Sequence, residues 1–217
     1  MTEVPDAGGD KRTVKQERAL RTRAVLVRAA AEVFSEAGFA GASVAKIAER
    51  AGLTLGAMYF HFRNKDALAR EIVRMQPGRV SVPLESVGLQ RAVDITLAWA
   101  YQMRDDPLLL AGARLVMDQE QFIPPEENSH GQWSDVLAEE LAEAAGRREL
   151  RASVDVSVLA RLLVNACTGA QMHSQMESGR VDLPDRIVET WRFLLPAVAV
   201  PSAVRRIELG EARGRAL

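Results

Sequence analysis

The chain has 217 residues, with 28 Lys and Arg against 29 Asp and Glu and a formal net charge of −1. Its composition is that of an ordinary globular protein, and its longest apolar run, FLLPAVAV, is too short to span a membrane. The polar N-terminus lacks the apolar core of a secretory signal. The single cysteine, Cys167, excludes an internal disulfide and a cysteine-built zinc site. We therefore predict a cytoplasmic protein with no membrane partner.

Charge is unevenly distributed along the chain. Residues 1–79 carry 14 Lys and Arg against 9 Asp and Glu, whereas residues 80–217 carry 14 against 20. Residues 1–18 are predicted to form a flexible basic arm, and only the first third of the chain is expected to meet a polyanion. On charge alone, a solvated helix face accounts for the same cations equally well.

Helical periodicity dominates the sequence, and strand signals are scarce. Residues 19–76 are predicted to contain four helices, with Gly38 at the left-handed position that ends the first and Pro77 ending the fourth. The middle two helices are short, begin at the N-cap residues Ser43 and Thr54, and are joined by a tight turn at Gly52. Two short helices joined in this way form a helix-turn-helix, whose second helix enters the DNA major groove.

The rest of the chain is also predicted to be helical. Residues 77–200 are expected to form a larger domain, and residues 201–217 a charged, frayed tail. The segment 155–177 is apolar nearly all round, which is typical of a helix buried on every side, and residues 184–195 form a helix with a long apolar face. The predicted fold is all-α, with an N-terminal helix-turn-helix domain and a larger C-terminal helical domain.

The stretch RAAAEVFSEAGFAGASVAKIAERAGLTLGAMYFHFRNKDAL resembles the DNA-binding domain of the TetR family of bacterial repressors. The wider chain resembles the γ-butyrolactone receptor branch of that family, through GAMYFHFRNKDALAREI, Gln76, Trp133 after a Pro-rich loop, and LLVNACTGA followed by VETWRFLLP. This resemblance implies a homodimer on a pseudo-palindromic operator in double-stranded DNA. Residues 155–177 and 184–195 would then pair with their copies as a four-helix bundle.

The resemblance also implies that Thr54 to Tyr59 form the recognition helix. Leu55, Gly56 and Ala57 offer few hydrogen bonds to bases, so direct readout is expected to be sparse and affinity to come mainly from phosphate contacts. Lys65 begins a helix, where the dipole disfavours a cation, although a solvated lysine explains it too. The predicted DNA-binding residues are Thr22, Arg23, Ser43, Thr54, Leu55, Gly56, Ala57, Tyr59, His61 and Lys65.

Polar residues on apolar helices predict a pocket for a small effector in the second domain. In the resembled branch the tryptophan that matches Trp133 lines the lactone pocket, although a well-packed core is the ordinary role of such residues. A lactone, a butenolide and a furan carboxylate all fit, and a carboxylate would use Arg104 as the nearest candidate cation. The predicted ligand-binding residues are Gln76, Trp99, Tyr101, Trp133, Thr168 and Gln171.

The favoured function is a repressor that leaves its operator on binding a signalling molecule, in control of secondary metabolism. A TetR-type repressor of an efflux gene that senses a hydrophobic drug is the nearest alternative. An enzyme is disfavoured, because His61, His130 and His173 lack metal-type spacing and the sequence has no phosphate loop or nucleophile elbow. A constitutive architectural protein would respond to no effector. We predict no catalytic residue, metal or cofactor.

Overall fold

The computed structural model describes residues 8–118, 122–124 and 127–215, with the backbone alone for residues 8–12. These residues form eleven helices, and the predicted all-α class is confirmed. None of the described helices combines the length and the apolar character that crossing a membrane requires. The helices are α1 (Gly8–Gly41), α2 (Val44–Arg50), α3 (Leu55–His61), α4 (Lys65–Arg79), α5 (Gly88–Gln102), α6 (Pro107–Leu115), α7 (Ser129–Gly146), α8 (Val156–Ser178), α9 (Leu183–Val198), α10 (Pro201–Val204) and α11 (Glu211–Gly214).

Helices α1 to α4 share one hydrophobic core. Phe34 of α1, Ile47 of α2 and Met58 of α3 are all completely buried. Helices α2 and α3 have only seven residues each, and helices this short are marginal in water without tertiary packing. The predicted turns are confirmed, because Gly38 and Gly52 have φ values of 69° and 64°, a region that favours glycine.

Helix α1 begins earlier than the sequence predicted. Residues 8–18, expected to belong to a flexible arm, are helical and continuous with the rest of α1. The reason is local, because residues 10–37 contain no glycine or proline and are rich in good helix formers. The first seven residues of the predicted arm lie outside the described part of the chain.

Two further boundaries differ from the predictions. Helix α4 does not end before Pro77 but continues to Arg79, because a proline in the last turn removes only one hydrogen bond. Helix α8 is not buried on every side, since Val158, Leu162 and Met176 are 50%, 47% and 73% exposed. Its opposite face joins the second hydrophobic core, which is built from α5 to α10.

The C-terminal residues are packed rather than frayed. Helix α11 lies against α5, where Arg213 forms an ion pair with Asp94, a completely buried carboxylate. A methyl group on Gly214 would come within 2.9 Å of the backbone of Leu97 on α5. The tail is ordered because a buried carboxylate is costly without a charged partner and Arg213 provides one.

Helix α6 belongs to both halves of the molecule. It packs along α1 and α4, and its residues Ala111 and Leu115 are completely buried in the core of the first four helices. Beyond α6, Phe122 stacks on Phe39 of the first domain, with ring centroids 4.5 Å apart. The first domain therefore has no closed core of its own, and movement of α6 must disturb it.

Candidate functional site

The helix-turn-helix is built from α2 and α3, each capped by a hydroxyl side chain. The Oγ of Ser43 accepts a hydrogen bond from the backbone nitrogen of Lys46, and Oγ1 of Thr54 accepts one from Ala57, both over 3.2 Å. Because each hydroxyl acts here as an acceptor, its own O–H is left to donate. Both capping residues can therefore serve a nearby phosphate oxygen without uncapping their helices.

Helix α3 has one buried face and one exposed face. Met58 is buried, whereas Leu55, Tyr59 and Phe60 are 47%, 53% and 80% exposed. Phe60, whose ring meets His61 edge-on, was not among the predicted DNA-binding residues. Such apolar exposure is unusual on a small helix, and it suits contact with thymine methyl groups or sugars in a groove.

The predicted phosphate-binding cations already have partners within the protein. Arg23 pairs with Glu71 of α4 over 2.8 Å and lies over the ring of Phe62. Partial burial acts to raise the pKa of Glu71, but its hydrogen bonds with Arg23 and Arg74 lower that pKa below its usual value. The hydroxyl of Thr22 donates to a backbone carbonyl one turn back.

Lys65 has a structural role as well as a predicted DNA-binding one. Its Nζ donates to the carbonyl oxygens of Phe39 and Ala42, over 2.8 and 3.3 Å, and lies 4.3 Å from the centroid of the Phe39 ring. These contacts satisfy carbonyls at the end of α1, which explains a lysine at a helix N-terminus. One N–H of the ammonium remains for a phosphate.

A cavity of about 70 Å³ lies in the second domain and is lined by residues of α4 to α8. Its wall is mainly apolar, and it is about half the size of a cavity of roughly 150 Å³ that is known to admit benzene. A larger guest therefore needs more room than the cavity now offers. The lining residues are Gln76, Ile95, Thr96, Trp99, Met103, Gly112, Ala113, Val116, Ser129, His130, Trp133, Leu137, Val164, Cys167, Thr168 and Gln171.

The polar groups around the cavity differ in whether they already form hydrogen bonds within the protein. Thr96 accepts a hydrogen bond from Trp191 and donates to a carbonyl, and both N–H groups of the Gln76 carboxamide donate to carbonyls. Among the described residues, nothing is hydrogen-bonded to the side chain of Thr168 or to Nε2 of Gln171. Burial lowers the pKa of His130, which keeps its imidazole neutral. Open hydrogen-bonding capacity among these groups therefore lies on α8, at Thr168 and Gln171.

Comparison with known proteins assigns this architecture. Residues 26–72 match the profile of "Bacterial regulatory proteins, tetR family", and residues 86–201 match that of "Tetracyclin repressor-like, C-terminal domain". The chain belongs to the TetR family. TetR regulators bind DNA operators and small-molecule ligands.

Individual relatives cover nearly the whole chain. The A-factor receptor protein of Streptomyces griseus is 36% identical over 194 residues, which are 89% of this chain and 70% of that protein. The crystal structure of TylP, a TetR regulator from Streptomyces fradiae, is 35% identical with a TM-score of 0.81, over 91% of this chain and 95% of that one. A γ-butyrolactone receptor described as ArpA-like is 26% identical with a TM-score of 0.65, over 90% and 96% of the two chains.

Two residues considered for ligand binding lie away from the cavity of this TetR chain. The structure brings Gln76, Trp99, Trp133, Thr168 and Gln171 together around the cavity, but Tyr101 and Arg104 lie outside it, in a surface groove near the C-terminal helix α11. Tyr101 is two residues from Trp99, so the two side chains point to different sides of α5. Arg104 lies beyond the end of that helix.

The cavity of this TetR chain also contains residues that the sequence did not suggest. Cys167 and His130 both line it, and burial raises the pKa of the Cys167 thiol to about 12. Neither has a distinctive sequence pattern, since each is a single residue on a mainly apolar helix. Within the described residues, no three His, Cys, Asp or Glu side chains form a group suited to a metal ion.

Gln76 links the cavity of this TetR chain to the helix-turn-helix domain. It lies near the end of α4, is 4% exposed, and donates through Nε2 to the carbonyl of Leu108 on α6 over 2.6 Å. Its carboxamide packs so closely on α6 that a methyl group at Gly112 would lie 2.2 Å from it. The same side chain thus touches the cavity, α6 and the last helix of the DNA-binding domain.

Proposed function

We propose that this protein is a homodimeric repressor that leaves its operator when a small signalling molecule of the γ-butyrolactone, butenolide or furan type enters the cavity beside Trp133. The proposal rests on one observation about α6. This helix forms part of the cavity wall and also part of the core of the DNA-binding domain. Its activity would be binding rather than catalysis, and it would act in the cytoplasm, where its operator lies.

The proposed DNA contacts follow from exposure and hydrogen-bonding capacity. Leu55, Gly56, Ala57 and Phe60 would approach base edges, because their side chains are small or apolar and none of them is buried. Thr54 would contact a base edge, and the other predicted residues would bind phosphates and fix the register of the duplex without reading sequence. The phosphate contacts would be Thr22, Arg23, Ser43, Tyr59, His61 and Lys65.

The proposed dimer uses the exposed faces of α8 and α9. Val158, Leu162, Met172 and Met176 fall within an arc of about 80° on α8, at 3.6 residues per turn, and all are at least 37% exposed. Phe193 on α9 is 85% exposed. A continuous apolar surface of this kind marks an interaction site, and pairing it with its copy buries four helices in one bundle.

The choice of effector is supported by the relatives and by the site. The similar S. griseus protein is named as an A-factor receptor, and one similar structure is a γ-butyrolactone receptor. Trp99 and Trp133 form an apolar wall for an alkyl chain, while Thr168 and Gln171 supply hydrogen bonds for an oxygen-bearing head group. A few placed polar groups in an apolar cavity are typical of sites for small amphipathic molecules.

The proposed mechanism is a shift between two arrangements of α6. Because the cavity is only about 70 Å³, an alkyl-bearing effector would bind the expanded arrangement better and would shift the population toward it. Movement of α6 would then pull α4 through Gln76 and change the spacing of the two recognition helices in the dimer. The shift is limited by the difference in affinity of the effector for the two arrangements.

The test begins with the operator. Selection from random double-stranded DNA would identify the preferred sequence, and fluorescence anisotropy would measure affinity with and without alkyl γ-butyrolactones, butenolides and furan carboxylates. We expect at least one of these classes to weaken operator binding by about fivefold or more, the lower range of allosteric coupling. Unchanged affinity with all three classes would contradict the proposal. Release by hydrophobic drugs alone would favour the efflux repressor instead.

A further inference from the structure

A half-buried cation lies against the α8 wall of the cavity. Arg180 lies in the turn between α8 and α9, and its Nε donates to Oε1 of Gln171 over 3.3 Å. Within the described residues Arg180 has no carboxylate partner. Burial lowers its pKa, and the nearby charge of Arg114 lowers it further. The protein thus keeps a positive charge near the cavity at an energetic cost.

Arg180 also fixes the orientation of the Gln171 carboxamide. A guanidinium group can only donate hydrogen bonds, so Gln171 must turn its oxygen toward Arg180 and its NH₂ group away from it. Gln171 is 5% exposed and lines the cavity, and Thr168 stands one turn earlier on the same helix. This end of the cavity therefore offers two hydrogen-bond donors with a positive charge behind them.

We infer that Arg180 makes the cavity selective for effectors whose head group is a carboxylate. This inference rests on the proposed function and narrows it to an anionic class. A neutral lactone accepts the same hydrogen bonds from Thr168 and Gln171, but it leaves the charge of Arg180 uncompensated. A carboxylate accepts them more strongly, because hydrogen bonds to ionised groups are about twice as strong as neutral ones, and it also neutralises the guanidinium. Arg180 acts as a positioning residue through Gln171.

The test uses one lactone and the acid made by opening its ring. The probes are γ-decanolactone and γ-hydroxydecanoate, which share a chain and differ in charge at neutral pH. Binding to the full-length protein is followed by the fluorescence of Trp99 and Trp133, which line the cavity. Arg180→Met removes the charge at similar length, and Arg180→Lys retains it. Thermal unfolding and operator binding without ligand show that each variant is folded.

We expect the wild type to bind γ-hydroxydecanoate about tenfold more tightly than the lactone, in the range of a hydrogen bond to a charged group. Arg180→Met should weaken carboxylate binding by about the same factor and weaken lactone binding much less, because the lactone loses only the fixed orientation of Gln171. Arg180→Lys should keep most of the preference. A wild type that prefers the lactone, equal losses for both probes in Arg180→Met, or binding of neither probe would overturn the inference. Lactone binding with operator release would still support the proposed function. The proposed function fails only when none of the three effector classes tested with the operator weakens operator binding.

Discussion

The carboxamide nitrogen of Gln76 on α4 and the backbone oxygen of Leu108 on α6 are 2.6 Å apart. This hydrogen bond crosses from the DNA-binding domain to the wall of the cavity. Gly112 lies under the same carboxamide, so no side chain separates the two helices at this point. In the proposed mechanism, this contact transmits movement of α6 to α4.

Replacing Gln76 with Met should uncouple effector binding from operator release. Methionine keeps the length of the side chain and removes both donated hydrogen bonds. We expect tryptophan fluorescence still to report effector binding, while the effector-induced loss of operator affinity falls by about fivefold, the scale of a typical coupling energy. The control is Gln102→Met, which removes similar backbone hydrogen bonds to Ser81 away from the cavity. Full release by the Gln76 variant would contradict this role.

Tyr59→Phe should weaken operator binding without affecting stability. Tyr59 is 53% exposed on α3, so its hydroxyl contributes nothing to the core. One neutral hydrogen bond to a phosphate is worth about 1 kcal/mol, or roughly fivefold in affinity, and the loss should be similar for all operator sequences. Tyr101→Phe changes the only other tyrosine of the chain and should leave operator affinity unchanged. Equal affinity of wild type and Tyr59→Phe would show that the hydroxyl makes no contact.

Removing Arg213 should destabilise the C-terminal domain. Asp94 is completely buried and accepts hydrogen bonds from Ser86, Gln90 and Arg213. Breaking a buried pair from one side costs about 3 kcal/mol or more, so Arg213→Met should lower the free energy of unfolding by that amount in urea denaturation. Arg215→Met is the matched control, because its exposed pair with Glu211 is worth about 0.5 kcal/mol. Equal stability of the two variants would contradict the role given to α11.

The turn between α8 and α9 should lose stability in acid through Asp182. Hydrogen bonds from Arg186 and from Ser174 and Ser178 hold the pKa of this carboxyl well below its usual range. Because the folded pKa lies below the unfolded value of about 3.9, the stabilisation is fully present above that value and is lost as pH falls toward the folded pKa. Asp182→Asn should therefore unfold at a lower temperature than wild type at neutral pH.

The difference between wild type and Asp182→Asn should shrink as pH falls below about 4, because the carboxyl of the unfolded wild type then begins to protonate while that of the folded protein is still ionised. Asp185→Asn alters an exposed acid three residues away and serves as the control in the same melting series. A gap in melting temperature that stays constant down to strongly acidic pH would show that the charge of Asp182 does not stabilise the turn.

Local patterns in the sequence were sufficient for most of the first domain. N-cap residues such as Ser43 and Thr54, and the turn glycines, act within a few residues of themselves, so their roles can be predicted without a fold. Family resemblance added the cavity, and five of its six predicted ligand-binding residues lie there. Tyr101 is the sixth, and its spacing of two residues from Trp99 already places it on another side of α5, where it lies beside Gly214 of α11.

Long-range pairing was beyond prediction. Asp94 and Arg213 are separated by more than a hundred residues, and neither stands in a motif, so the tail looked like a solvated charged segment. The role of Arg180 was not predictable for the same reason, since it depends on a hydrogen bond to the Gln171 carboxamide that forms only when the chain folds. The extension of α1 was missed differently, because a basic composition was given more weight than helix propensity.

Filling the cavity covalently tests the central claim most directly, because it needs no knowledge of the natural effector. Cys167 lines the cavity and is the only cysteine, so a benzyl methanethiosulfonate reagent places one aromatic group there as a disulfide. Labelling must be slow and alkaline, since burial raises the pKa of this thiol to about 12. Cys167→Ser treated in the same way is the control. We predict that labelled, folded protein binds its operator about tenfold more weakly and recovers on reduction. Labelled protein that stays folded and binds the operator as tightly as unlabelled protein would contradict the claim.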